Sequence, residues 1–129
     1  MTAARVYLIL SAGVYLVLAA FFLLSPEEWA VKASLVADTP AGRAEIRAMY
    51  GGLELGIGAW LLVCAARERL VEVGLLTVAF TLGGLGTGRT LGLLGDPAGF
   101  SAHAPFLASE VTGTVGALVV LWWLRRSAT

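Results

Sequence analysis

Four stretches of roughly twenty apolar residues, separated by short charged or Gly/Pro-rich connections, constrain this chain more than any other feature. A helix of about that length crosses a hydrocarbon core about 30 Å thick. The stretches cover about residues 5–24, 44–66, 70–94 and 105–124. The first, "RVYLILSAGVYLVLAAFFLL", is too long for the apolar region of a secretory signal and no small-residue cleavage pattern follows it directly. It reads as a retained helix. Only 14% of the 129 residues are charged, against about 25% in a soluble domain. With 58% hydrophobic residues, a water-soluble fold of this size could not hide its apolar surface. The expected fold is therefore an all-α membrane protein, one domain over residues 1–129, built as an antiparallel bundle of four transmembrane helices.

The connections add detail. "ARERL" at 66–70 is a tight charged turn that forces spans two and three antiparallel, and "GDPAGFSAHAP" at 95–105 reads as a loop, with Pro105 in the first turn of span four. Between spans one and two, Ser25, Pro26 and Glu28 have the form of a capping box with proline at the first helical position. Trp29, Val31, Leu35 and Val36 then fall mostly on one side, which predicts a short interfacial helix anchored by Trp29, and Thr39-Pro40 would cap the next helix. Arg5, Arg67, Arg69, Arg125 and Arg126 share one side of the membrane, whereas Lys32 and Arg43 on the other are offset by Glu27, Glu28 and Asp38. The positive-inside rule puts both termini in the cytoplasm, which makes this a multi-pass protein of the inner (plasma) membrane, with Tyr7, Trp122 and Trp123 in the inner aromatic belt.

Nine basic and nine acidic residues balance to zero with no basic stripe, which excludes a nucleic-acid partner. One cysteine and one histidine offer no metal site, and no cofactor is expected. Cys64 reads as a packing residue, with palmitoylation as the alternative. Gly84, Gly88 and Gly92, like Gly52 and Gly56, repeat every four residues. Close packing within the bundle is the plainer reading of both patterns, and a homodimer through Gly84, Gly88 and Gly92 is the other.

Four charged residues lie inside the spans, away from the turns: Arg47, Glu54, Arg89 and Glu110. Counted from the outer surface, Arg47 is roughly 5 Å deep, Arg89 and Glu110 roughly 8 Å, and Glu54 roughly 15 Å, near the midplane. A lone ion at a helix centre costs about 2.5–3.5 kcal/mol on the insertion scale, so all four are expected to point inward. Arg89 and Glu110, at matching depth on consecutive helices, pair first, and a downward-reaching Arg89 would also bridge to Glu54. Arg47, Tyr50, Glu54 and Gly58 form one helical stripe, and His103, Glu110, Thr114 and Ala117 another. These predict a polar pocket open towards the outer leaflet, closed below by Trp60 and leucines, whose ligand-binding residues are Arg47, Tyr50, Glu54, Arg89, Glu110 and Thr114. Each has a plainer reading. Arg89–Glu110 is a helix staple, Arg47 is interfacial, Tyr50 is packing, His103 is a loop residue and Glu72 a solvated end residue.

The runs "AEIRAMYGGLELGIGAWLL" and "GGLGTGRTLGLLGDP" resemble a family of small bacterial four-helix membrane proteins catalogued as a domain of unknown function, with affinity to the DoxX-like group. The marks are Glu45, Arg47, Tyr50, Gly51, Gly52 and Gly56, then Gly88, Arg89, Leu91 and Gly92. The resemblance implies the four-helix fold and an inner-membrane address, and carries over no catalytic residue. Some DoxX-like proteins are associated with quinone-linked sulfur oxidation, for which this chain has no matching cysteine chemistry.

Glu54 sets the functional choices, because a small bundle does not need a midplane carboxyl to hold together. The first is binding of a lipid, quinone or other amphiphile in the polar pocket. The second is a membrane enzyme using Glu54 as a catalytic general acid or base on an isoprenoid-like substrate. The third is a structural or accessory subunit of a membrane complex.

Overall fold

The computed structural model describes residues 1–127. Helix α1 is Thr2–Leu24, α2 Pro26–Lys32, α3 Pro40–Ala66, α4 Val71–Gly95 and α5 Phe100–Arg126. The described residues contain no strand. All of these helices except α2 are long and apolar enough to cross a membrane, so the protein is a helical membrane protein of four spans with a short helix between the first two. Arg5 meets Glu68 at 3.8 Å and Arg125 pairs with Glu72, which gathers residues of α1, α4 and α5 and the α3–α4 turn at one end of the bundle. Glu72 is thus a partly solvent-exposed end residue, as expected, that also pairs with Arg125. At the other end Arg43 meets Glu27 at 3.1 Å.

Along α1 the buried face alternates small residues with a few large ones, and the remaining large residues face outward. In α1 the buried set is Ala4, Leu8, Ala12, Tyr15, Ala19 and Phe22, stepping by three and four, while Val6, Ile9, Val14 and Val17 face out. Lipid tails are as apolar as leucine, so burying leucine gains little, and close backbone approach through small residues does more. Helix α1 packs along α3, and α4 along α5. The dense core of Leu8, Leu61, Cys64, Val71, Leu75, Val78 and Leu121 lies in the half of the bundle nearest the Arg5–Glu68 end, with Cys64 wholly buried in it. A smaller cluster of Phe22, Ala30 and Ile46 fastens α2 at the opposite end.

The glycines at the contacts are not the ones the four-residue repeats pick out. A Cβ on Gly58 would lie 2.8 Å from Leu16 Cγ and 3.2 Å from the Ala12 carbonyl, and one on Gly74 would lie 2.7 Å from Cys64 Cβ. Gly56, Gly84, Gly88 and Gly92 have nothing within 4 Å, and Gly52 only a backbone oxygen of its own helix at 3.7 Å. Both G-x-x-x-G patterns therefore face outward, which corrects the reading that they pack the bundle. Gly74→Leu is expected to destabilise the protein by about 1–3 kcal/mol through overpacking. Gly88→Leu should leave the unfolding midpoint in detergent unchanged, and equal losses in the two variants would contradict this packing.

Three local details differ from expectation. Ser25 is the N-cap of α2 but its side chain makes no capping bond, so the capping box is not formed. Trp29 instead folds back to stack on Phe21, ring centroids 3.9 Å apart and planes within 3°. Helix α5 begins at Phe100, so Pro105 lies inside it instead of at its start. The start is set by Asp96, whose Oδ1 accepts from Ala98 N at 3.2 Å and turns the chain early through Pro97–Gly99. The cap at Thr39 forms as expected, Oγ1 accepting from Gly42 N at 3.0 Å.

Candidate functional site

Helices α1 and α5 cross at Tyr7, whose hydroxyl donates to the Gly113 carbonyl at 2.6 Å. Gly116 makes the crossing possible, since a Cβ there would lie 3.0 Å from the Tyr7 oxygen. Towards the α2 end, the residues that would continue this contact line a cavity of about 660 Å³ instead. Leu10, Ser11, Val14, Tyr15 and Leu18 supply one wall, and Phe106, Ser109 and Glu110 the facing one. Tyr50 and Glu54 come from α3, Leu82, Leu85 and Arg89 from α4, and residues 33–35 after α2 cover one end. Leu10 and Val14 are 65% and 61% exposed, so the flank between α1 and α5 opens sideways, where lipid chains would lie. The floor is Tyr7, not Trp60. Trp60 lies outside the lining and donates its indole N–H to Thr77 Oγ1 at 3.3 Å.

Arg89 and Glu110 form the polar centre. The guanidinium Nε donates to Glu110 Oε1 at 3.1 Å and Oε2 at 3.0 Å, and Nη2 donates to Oε1 at 2.7 Å. Nη1 donates to His103 Nδ1 at 3.0 Å, so that ring carries its hydrogen on Nε2. The Phe106 ring flanks the guanidinium, with Cζ 5.2 Å from its centroid. Glu110 is 5% exposed. Each guanidinium nitrogen thus has a partner, and none of them bonds Glu54.

Glu54 sits apart from this cluster on the same cavity wall as Tyr50. Its Oε2 is buried and has no hydrogen-bond partner among the described residues. A π-helical turn, Arg47–Gly52, comes just before it, closed by Leu53 N–H bonding back to the Ala48 carbonyl. Within the turn, Gly51 lets α1 approach, since a Cβ there would lie 2.7 Å from Leu23, and such π-turns recur at functional sites.

The structure brings Tyr50, Glu54, Arg89 and Glu110 of the expected set to one cavity and leaves Arg47 and Thr114 outside its wall. The π-turn adds about one residue to the helix before Glu54 and so rotates Arg47 by roughly 100° off the stripe. Arg47 Nε donates to the Leu23 carbonyl at 3.3 Å at the α1 end instead. Thr114 donates to the Glu110 carbonyl at 2.7 Å and lines a separate shallow groove between α4 and α5. His103, expected in a loop, is helical and bonded to Arg89. On α1 the lining residues missed altogether are Ser11 and Tyr15, the latter sharing a hydrogen bond with Thr81 Oγ1 at 2.9 Å, and Tyr7, read only as a belt residue, lines the cavity as well. Their spacing of four along an otherwise apolar span was the available signal. Among the described residues, no three His, Cys, Asp or Glu side chains come together to hold a metal ion.

A family model described as a domain of unknown function, DUF4345, matches residues 3–124, a range that takes in most of all four spans. The match carries no link to the DoxX-like group. No curated protein and no solved structure matches the chain.

Proposed function

Because the chain belongs to the DUF4345 family, whose function is unknown, we propose a function from the site itself: it binds a membrane amphiphile, a lipid, a quinone or a similar long-chain molecule. The polar head lies against Glu54 and the chain leaves between α1 and α5. The observation that carries this reading is the unpartnered Glu54 Oε2 in the wall of a cavity of about 660 Å³. That volume falls within the range of about 300–1,000 Å³ typical of small-molecule sites. A buried acceptor left unmade costs about 1–3 kcal/mol, which a ligand's hydroxyl or amine would recover. Leu10, Val14, Leu18, Leu82, Leu85 and Phe106 give the rest of the wall the character of an acyl or isoprenoid chain. We place Arg5, Arg67, Arg69, Arg125 and Arg126 on the cytoplasmic face of the inner membrane by the positive-inside rule, which sets the cavity in the outer leaflet.

Mass spectrometry of small molecules co-purifying in mild detergent tests the reading. The wild type is expected to retain one amphiphile enriched at least roughly tenfold over bulk phospholipid, and Glu54→Leu to lose it. Leucine suits hydrocarbon, so the variant should insert and fold at least as well as the wild type. The same generic phospholipid from both proteins would leave Glu54 without a ligand and sink the proposal.

A further inference from the structure

We infer that the head this cavity selects donates hydrogen bonds and carries no negative charge: an alcohol or an amine on a long chain, rather than a carboxylate or a phosphate. The inference rests on the amphiphile reading above and adds the chemistry of the head.

Among the side chains lining the cavity, Arg89 is the one cation that an anionic head could use. Its Nε and Nη2 hold both oxygens of Glu110, its Nη1 holds His103, and Phe106 lies beside it. An incoming carboxylate or phosphate would find only the second N–H of Nη1 and of Nη2 left over, on a guanidinium whose charge Glu110 already neutralises. Glu110 is 5% exposed, so displacing it would strand one buried carboxylate to seat another. Three of the lining hydroxyls are also engaged, Tyr7 on Gly113, Tyr15 with Thr81 and Ser109 on Phe106.

The wall leaves open a buried, unpartnered acceptor, Glu54 Oε2, with the Tyr50 phenol four residues before it and the Ser11 and Ser34 hydroxyls elsewhere on the same lining. A phenol both donates and accepts. An alcohol meets this pair in full by donating to the carboxyl and accepting from the phenol, and an amine meets the carboxyl. Both offer the same donor chemistry, and a direct comparison separates them.

The full chain in detergent micelles is heated with hexadecane, hexadecanol, hexadecylamine or palmitate at equal mole fraction. Unfolding is followed by the reaction of a thiol dye with Cys64, which is buried in the folded protein. Hexadecanol or hexadecylamine is expected to raise the midpoint by about 5 °C, at least double the effect of hexadecane or palmitate. In Glu54→Leu that excess should fall to the hexadecane level. The larger of the two polar shifts tells whether the natural head is an alcohol or an amine. A palmitate shift equal to the alcohol's, or an alcohol excess that survives in Glu54→Leu, overturns the inference. Equal shifts from all four compounds overturn it while leaving chain binding intact. No shift from any of them overturns the amphiphile reading as well.

Discussion

Glu110→Leu is expected to destabilise the bundle by about 3 kcal/mol, roughly a hundredfold in the folding equilibrium. The loss comes from what remains. Arg89 makes three of its hydrogen bonds to the Glu110 carboxylate, and without them the guanidinium keeps only His103. Removing one partner of a buried ion pair costs about 3–5 kcal/mol because the other charge is stranded. The lower end applies here. Arg89 is 25% exposed and lies about 9 Å along α4 from its end at Gly95, so it can lean part of the way to the interface. Arg89→Met combined with Glu110→Leu removes both charges together and is expected to fall within about 1 kcal/mol of the wild type. Tryptophan-monitored unfolding in mixed micelles measures both variants. A single variant as stable as the wild type would mean the pair is solvated and holds nothing. The double variant should also keep the alcohol-specific thermal shift, because the ligand meets Glu54 and Tyr50 while the ion pair joins α4 to α5.

That pair was the most legible part of the site. Two opposite charges at equal depth on consecutive antiparallel helices have few other places to go, and depth follows from counting residues. The same arithmetic failed for Arg47. A stripe at i, i+3 and i+7 assumes 3.6 residues per turn, and the π-turn at Arg47–Gly52 breaks that count immediately before Glu54. Nothing in "RAMYGG" announces the wider turn except its glycines, which read equally well as packing residues. His103 was hidden by its neighbours, since Gly95, Pro97, Gly99 and Pro105 resemble a loop until the cap at Asp96 is seen to start α5 early. The four spans themselves were plain from length and composition. Which faces they press together was not, because in a membrane both the inward and the outward faces are apolar. The useful glycines, Gly51, Gly58, Gly74 and Gly113, are scattered to suit Leu23, Leu16, Leu8 and Leu82 on their partners, and no single-helix repeat encodes that.

The largest functional effect is expected from a residue that carries no charge. Val14→Trp should reduce retention of the co-purifying amphiphile at least roughly tenfold, with the unfolding midpoint shifted by no more than about 2 °C. Val14 is 61% exposed and lines the cavity between Leu10 and Leu18, across from Phe106 and Ser109. An indole there reaches over the gap between α1 and α5 without entering the packed core, which lies towards Tyr7 and Leu8. Val17→Trp is the matched control, on the same helix, 52% exposed and absent from the cavity wall, and it should retain the ligand fully. Loss in Val14→Trp alone fixes the sideways opening as the path of the chain. Retention in both variants would move the route to the end covered by residues 33–35. The amphiphile would then leave its chain towards that end, with Glu54 still supplying the acceptor. The flank and the acid are separate tests for this reason: one reads where the ligand's chain goes, the other what its head must offer.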